Sequence, residues 1–113
     1  MKILITGATG MVGKSVALAC LEDTSVTEVL LIYRSTAGLH HPKVKEILIS
    51  SFEELSKHAE FLKGIDGCYH CMGVSAVGLS EEKYHQITFE YTKILADLVF
   101  EQSPQAVFTY VSG

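Results

Sequence analysis

The chain has 113 residues, 48% hydrophobic and 19% charged, the balance of one globular domain rather than of a disordered tail. Nine basic residues against 13 acidic ones give a net charge of −4, which leaves no basic footprint for a nucleic-acid backbone. The N-terminal apolar run Ile3 to Ile5 is far too short for a signal sequence or a bilayer span, and three cysteines suit reduced thiols, so a cytoplasmic protein is expected.

Lys2 to Thr6 is rich in β-branched residues and predicts a buried strand that runs straight into the glycine-punctuated segment Gly7 to Gly13. A helix follows over about Met11 to Asp23, with Val12, Val16, Ala19 and Cys20 expected on its sheet-facing stripe. Glu28 to Tyr33, apolar on both alternating faces, predicts a strand covered by helices on two sides. Arg34 to Pro42 is polar and reads as an exposed connection to a third strand, Val44 to Ile49. Ser51-Phe52-Glu53-Glu54 matches a capping box and predicts a helix to about Lys63, with Leu55, Ala59 and Leu62 inward and Gly64 as its stop. A fourth strand is expected over Ile65 to Met72. Ser80 then opens a long helix whose Tyr84, Ile87, Tyr91, Ile94 and Leu98 keep the helical period until Ser103-Pro104. Ala106 to Val111 predicts a fifth strand. Strands alternating with helices point to an α/β fold, a doubly wound parallel sheet with helices on both faces.

The sharpest motif is Thr6-Gly7-Ala8-Thr9-Gly10-Met11-Val12-Gly13, with glycines three apart between a strand and a helix. Gly7 suits the tight turn, Gly10 lets a pyrophosphate approach the backbone, and Gly13 lets the helix pack closely. Amides at the helix N-terminus would meet the anion. A rival reading, the GxxxxGK[ST] phosphate loop, is suggested by Gly13-Lys14-Ser15, but the place five before Gly13 is Ala8. An acidic residue at the end of the second strand would favour NAD; here Tyr33 is followed by Arg34, the chain's one arginine, placed to grip a 2′-phosphate. NADP is therefore the expected cofactor, ahead of NAD.

These residues resemble the extended and atypical short-chain dehydrogenases/reductases, the nucleoside-diphosphate-sugar epimerase-like proteins. The glycine loop matches their TGxxGxxG; Gly67 to Ser75 falls where they carry a fourth strand ending beside the cofactor, and Phe108 to Gly113 looks like their fifth strand and its serine turn. The resemblance implies a three-layer Rossmann-like sheet of order 3-2-1-4-5. It also implies that Gly7, Thr9, Gly10, Met11, Val12 and Gly13 line the pyrophosphate, while Arg34 and Ser35 hold the adenosine phosphate. Ser51 and Phe52 would lie by the adenine, and Cys71, Met72, Gly73 and Ser75 by the nicotinamide ribose. Ser51 stands where many relatives have Asp, and Thr88 where many have Asn.

In the family a tyrosine serves as general acid/base, with a lysine four residues later lowering its pKa. No tyrosine here has that lysine: the corresponding positions are Ala37, Gly73, Thr88 and Leu95, and Tyr110 lies too near Gly113. Residues 1–113 are thus expected to be the front, dinucleotide-binding part of an oxidoreductase or epimerase, inactive alone, with Ser112 as the one candidate for the catalytic serine. The substrate, a small molecule, would bind the complete protein. A non-catalytic dinucleotide sensor or scaffold is the alternative, and the resemblance allows a homodimer through the long helix.

Other residues invite chemistry without supporting it. Cys68 and Cys71 flank His70, but residues three apart in a strand point to opposite faces, so buried apolar thiols are expected rather than a metal or redox pair. His40 and His41 fall in the polar connection, His58 and His85 read as helix-surface residues, and Tyr84 and Tyr91 as core or interface.

Overall fold

A computed structural model describes residues 1–7, 11–33, 41–49, 52–71 and 81–110. Five parallel strands form one sheet in the order β3-β2-β1-β4-β5: β1 is Lys2–Thr6, β2 Glu28–Tyr33, β3 Val44–Leu48, β4 Gly67–His70 and β5 Val107–Tyr110. Two α-helices, α1 (Met11–Glu22) and α2 (Glu81–Gln102), and a 3-10 helix over Phe52–Leu62 make the connections. The central strand β1 has hydrogen-bonded neighbours on both sides, β2 and β4, which is why all of Ile3 to Thr6 is buried.

Strand alternation divides the core into two layers. On one face Leu4, Leu30, Ile32, Ile47 and Cys68 pack against Leu55 and Leu62 of the 3-10 helix and Leu95 and Val99 of α2. On the other, Ile3, Ile5, Val29 and Leu31 pack against Ala17, with Val16, Cys20 and Leu21 of α1 at the margin. The expected three-layer arrangement with helices on both faces is thus present.

Several boundaries and faces differ from the sequence expectations. The inward stripe of α1 is Gly13, Val16, Ala17, Cys20 and Leu21, whereas Val12 and Ala19 are exposed. The helix is rolled so that Gly13 and Ala17, which carry the least side chain, lie buried toward the sheet. In α2 the most buried positions are Leu95 and Val99, with Tyr91, Ile94 and Leu98 flanking them. The expected α-helix after β3 is a 3-10 helix, broken at His58 (φ −110, ψ 19), although Leu55 and Leu62 are buried as expected and Ala59 half-buried. The irregular turn brings His58 beside Phe61, ring centroids 6.1 Å apart, so His58 is half-buried rather than a surface residue. Ser51 of the capping box lies outside the described residues. Gly64, at φ 74, ends the segment as expected.

The fourth strand starts at Gly67 rather than at Ile65, whose amide donates to Ser103 Oγ, and Met72 lies outside the described residues. Ser103 Oγ in turn donates to the Leu62 carbonyl, so one buried hydroxyl ties the 3-10 helix, the approach to β4 and the end of α2. Lys2 adds a second tie: its amide donates to Asp66 Oδ2 at 2.8 Å, and its ammonium to the carbonyls of Phe61 and Lys63. Among the described residues, no helix is long and apolar enough to cross a membrane.

Candidate functional site

In a parallel sheet every strand delivers its following loop to the same edge, and the strand order reverses direction where one connection leads outward and the next crosses back. Here that reversal lies between β1 and its neighbour β4: from β1 the chain proceeds to β2 and β3 on one side, then returns to β4 and β5 on the other. Gly7 follows β1 directly with φ 75, a left-handed conformation that only glycine adopts cheaply. Four residues later α1 begins at Met11, and Gly13 in its first turn is buried. No acidic residue stands in that first turn to compete with an anion, and Lys14 is exposed there. The first amides of any α-helix lack intrahelical acceptors and carry its positive dipole end, so this geometry suits a bound phosphate.

Across the crevice, the Cys71 amide donates to the Thr6 carbonyl at 3.3 Å, which sets the end of β4 against the start of the Gly7 turn. Gly7 and Cys71 therefore lie at the same edge of the sheet, each directly past the end of its strand. Phe52 opens the 3-10 helix just past the end of β3, at the same edge of the sheet. Val12 is exposed on α1, and Met11 is its first residue. Thr9, Gly10, Arg34, Ser35, Ser51, Met72, Gly73, Ser75 and Ser112 lie outside the described residues.

The sequence model of the NAD dependent epimerase/dehydratase family matches residues 3–113. The chain belongs to this family. No characterised protein matches the sequence closely enough to count as a relative. Solved structures that share the fold include uronate dehydrogenase from Agrobacterium tumefaciens (TM-score 0.76, 19% identity, 99% of this chain and 40% of that one). A short chain dehydrogenase from Leptospira borgpetersenii with bound NAD+ has a TM-score of 0.76 and 16% identity, over 96% of this chain and 50% of that one. A mutant UDP-glucuronic acid 4-epimerase from Bacillus cereus, in complex with a fluorinated UDP-sugar and NAD, gives 0.75 and 19%, over 99% of this chain and 40% of that one. This member of the epimerase/dehydratase family thus spans half or less of the length of these structures.

Two groups at this edge are more informative than their sequence context suggests. Thr6 Oγ1 and His70 Nδ1 share a 2.7 Å hydrogen bond between paired residues of β1 and β4, and both side chains are buried, at 0% and 1% exposure. Burial holds the His70 imidazole at a pKa of about 4, well below the ordinary 6.5, so it is neutral near pH 7. The sequence drew notice to His70 through its two cysteine neighbours; a polar residue two places beyond buried Cys68, in register with Thr6, was the signal for its real partner.

The thiols behave as small apolar groups. Burial pushes Cys68 up to about 12, with the nearby Cys71 adding to the shift, and Cys71 and Cys20 are also raised, chiefly by burial. Protonated thiols are poor nucleophiles and poor metal ligands. His41 is exposed, and Tyr91 is half-buried against the core.

Proposed function

We propose that this chain is the dinucleotide-binding part of an NAD(P)-dependent oxidoreductase or sugar-nucleotide epimerase. The observation that carries the proposal is the passage from the central strand β1 through Gly7, at φ 75, into α1 with Gly13 buried, beside the reversal point of the sheet. Membership of the epimerase/dehydratase family agrees with it.

In this reading Gly7 permits the tight turn, Gly10 lets the pyrophosphate approach the backbone, Gly13 lets the helix pack closely, and Thr9, Met11 and Val12 line the pyrophosphate with them. Ser51 and Phe52 border the adenine, while Cys71, Met72, Gly73 and Ser75 border the nicotinamide ribose. When bound, the nicotinamide accepts or donates a hydride. This chain's part is to hold the cofactor and exclude water from one side of it. Ser112 is the candidate here for a catalytic serine. The location is cytoplasmic, in keeping with three free thiols, and the exposed Phe89 and Phe100 of α2 leave room for a homodimer.

Within that reading the preferred cofactor is NADP, gripped by Arg34 and Ser35 just past Tyr33. The preference rests on Arg34 alone, since the family is described as NAD dependent and four structural neighbours hold NAD or NAD+. Titration with NADPH and NADH tests both parts. Binding of either dinucleotide supports the site, and Arg34→Ala should weaken NADPH about tenfold while leaving NADH unchanged. Equal affinity for both cofactors in both proteins would remove the case for NADP.

A further inference from the structure

We propose that Lys14 is a further cofactor-binding residue, its ammonium pairing with the pyrophosphate that NAD and NADP share. This inference rests on the dinucleotide reading above and adds to it one charged side chain.

Other lysines of the chain are committed to contacts within it. Lys2 donates to the carbonyls of Phe61 and Lys63, Lys43 to those of Leu21 and Asp23, Lys93 pairs with Asp97, and Lys45 lies over the Phe61 ring. Among the described residues Lys14 is exposed and has no such partner. Lys57 and Lys63 are exposed as well, but they belong to the 3-10 helix and its exit, on the face of the sheet opposite α1.

The place of Lys14 in α1 is unfavourable for the helix by itself. A first turn carries the positive end of the helix dipole, so a carboxylate there is stabilising and a cation is not. In α1 the first turn has no acidic residue, Lys14 is the one cation of the helix, and its one acid, Glu22, stands at the far end. That arrangement occurs in a chain with 13 acidic residues against nine basic ones. A dianion at the start of α1 turns the repulsion into attraction, because the dipole and the ammonium then act on it together.

The geometry gives Lys14 the reach. It lies three residues beyond Met11, about 4.5 Å along the helix axis. Helical side chains lean toward the N-terminus, so a long stem at Lys14 covers the turn before its own Cα, toward the end of α1 that follows Gly7. Gly13 and Ala17 seat the helix on the sheet, so packing makes no demand on Lys14. The acids Glu54 and Glu82, near the same edge, belong to elements packed on the other face. Arg34 then answers the 2′-phosphate that NADP alone carries, and Lys14 the pyrophosphate of both cofactors.

The test is fluorescence titration with NADH and NADPH of the wild type, Lys14→Met, Lys14→Glu and Lys14→Arg, with urea unfolding of each cofactor-free protein in parallel. Lys14→Met should weaken both cofactors by the same factor, about threefold, and Lys14→Glu by about tenfold, while Lys14→Arg binds as the wild type does. Added salt should narrow these differences. Cofactor-free Lys14→Met and Lys14→Glu should be no less stable than the wild type, since the dipole gains from either change; a merely structural lysine would lose stability and affinity together. Unchanged affinity in Lys14→Glu would overturn the role, as would a loss confined to NADPH, which would assign the ammonium to the 2′-phosphate. Failure of the wild type to bind either dinucleotide would overturn the functional reading itself, a separate outcome.

Discussion

The two edges of the sheet are built by different means. At the edge where the strands begin, side chains and the chain terminus bond to backbone groups: Lys2 to Phe61 and Lys63, Ser103 to Leu62 and Ile65, Lys43 to Leu21 and Asp23, and the N-terminal amine to Ser25. At the edge where the strands end, the described contacts are the turn at Gly7, the Cys71 amide on Thr6 and the Thr6–His70 pair. One edge closes its polar groups upon itself. At the other, α1 begins four residues beyond Gly7, and a helix start is the kind of place that suits an anion. The difference separates stability from binding, and each can be perturbed with the other held nearly still.

The largest expected effect concerns His70. Its folded pKa of about 4 lies below the ordinary 6.5, so between those values the unfolded chain takes up a proton that the folded chain refuses. Stability is therefore complete above about pH 6.5 and is lost as the pH falls toward 4, by about 2–3 kcal/mol. Urea unfolding at pH 7 and pH 4.5 should show this loss, and the Thr6→Val/His70→Leu protein should lack most of it. Asp23, held below its ordinary 3.8 by hydrogen bonds from Ser25, adds its own loss only at lower pH. At the other edge, Ser103→Ala should cost about 2 kcal/mol, because it strands a buried amide and carbonyl. The folded fraction should bind dinucleotide as the wild type does. A changed dissociation constant would show that the two edges are coupled after all.

The fold was legible in the sequence because its signals are redundant: five apolar β-rich runs, each followed by a turn or a helical period, leave few arrangements open. The glycine turn was legible for the same reason, since Gly7 needs its positive φ and Gly13 its burial whatever else surrounds them. What escaped depends on pairing across the sheet. Thr6 and His70 are 64 residues apart, and only the register of β1 with β4 makes them partners. Ser103 read as a helix stop because its acceptor, Leu62, belongs to an element 41 residues earlier. The roll of α1 was misjudged because periodicity selects a stripe by hydrophobicity, whereas close packing selected the small residues Gly13 and Ala17. The 3-10 form of the helix after β3 has no counterpart in its apolar spacing.

Two glycines offer a sharper comparison of the edges. Gly7 and Gly64 have nearly the same φ, 75 and 74, but the first opens the turn after β1 and the second closes the 3-10 helix before β4. An alanine Cβ at Gly64 would meet nothing within 4 Å, so the backbone conformation is the whole cost there. Each Gly→Ala change should lower stability by about 1 kcal/mol. Isothermal titration with NADH should then separate them: Gly7→Ala loses affinity, Gly64→Ala retains it. Equal retention would mean that the Gly7 turn is structural only.

The smallest expected effect lies at the end of α1. That helix carries no basic residue in its last turn, and the Lys43 ammonium, reaching over from the approach to β3, donates to the carbonyls of Leu21 and Asp23 at 3.4 and 3.1 Å. A cation there opposes the negative end of the helix dipole and occupies carbonyls that the helix cannot use. Lys43→Met keeps much of the aliphatic stem and removes the charge, so the loss should be about 0.5 kcal/mol at low salt. Screening distinguishes charge from packing: added salt should shrink the difference between the two proteins toward zero, whereas a packing defect would survive it. Because the other end of α1 borders the proposed dinucleotide site, the same variant also tests whether loosening one end disturbs the other. Unchanged NADH affinity is expected, since Gly13 and Ala17 seat the helix independently of its last turn.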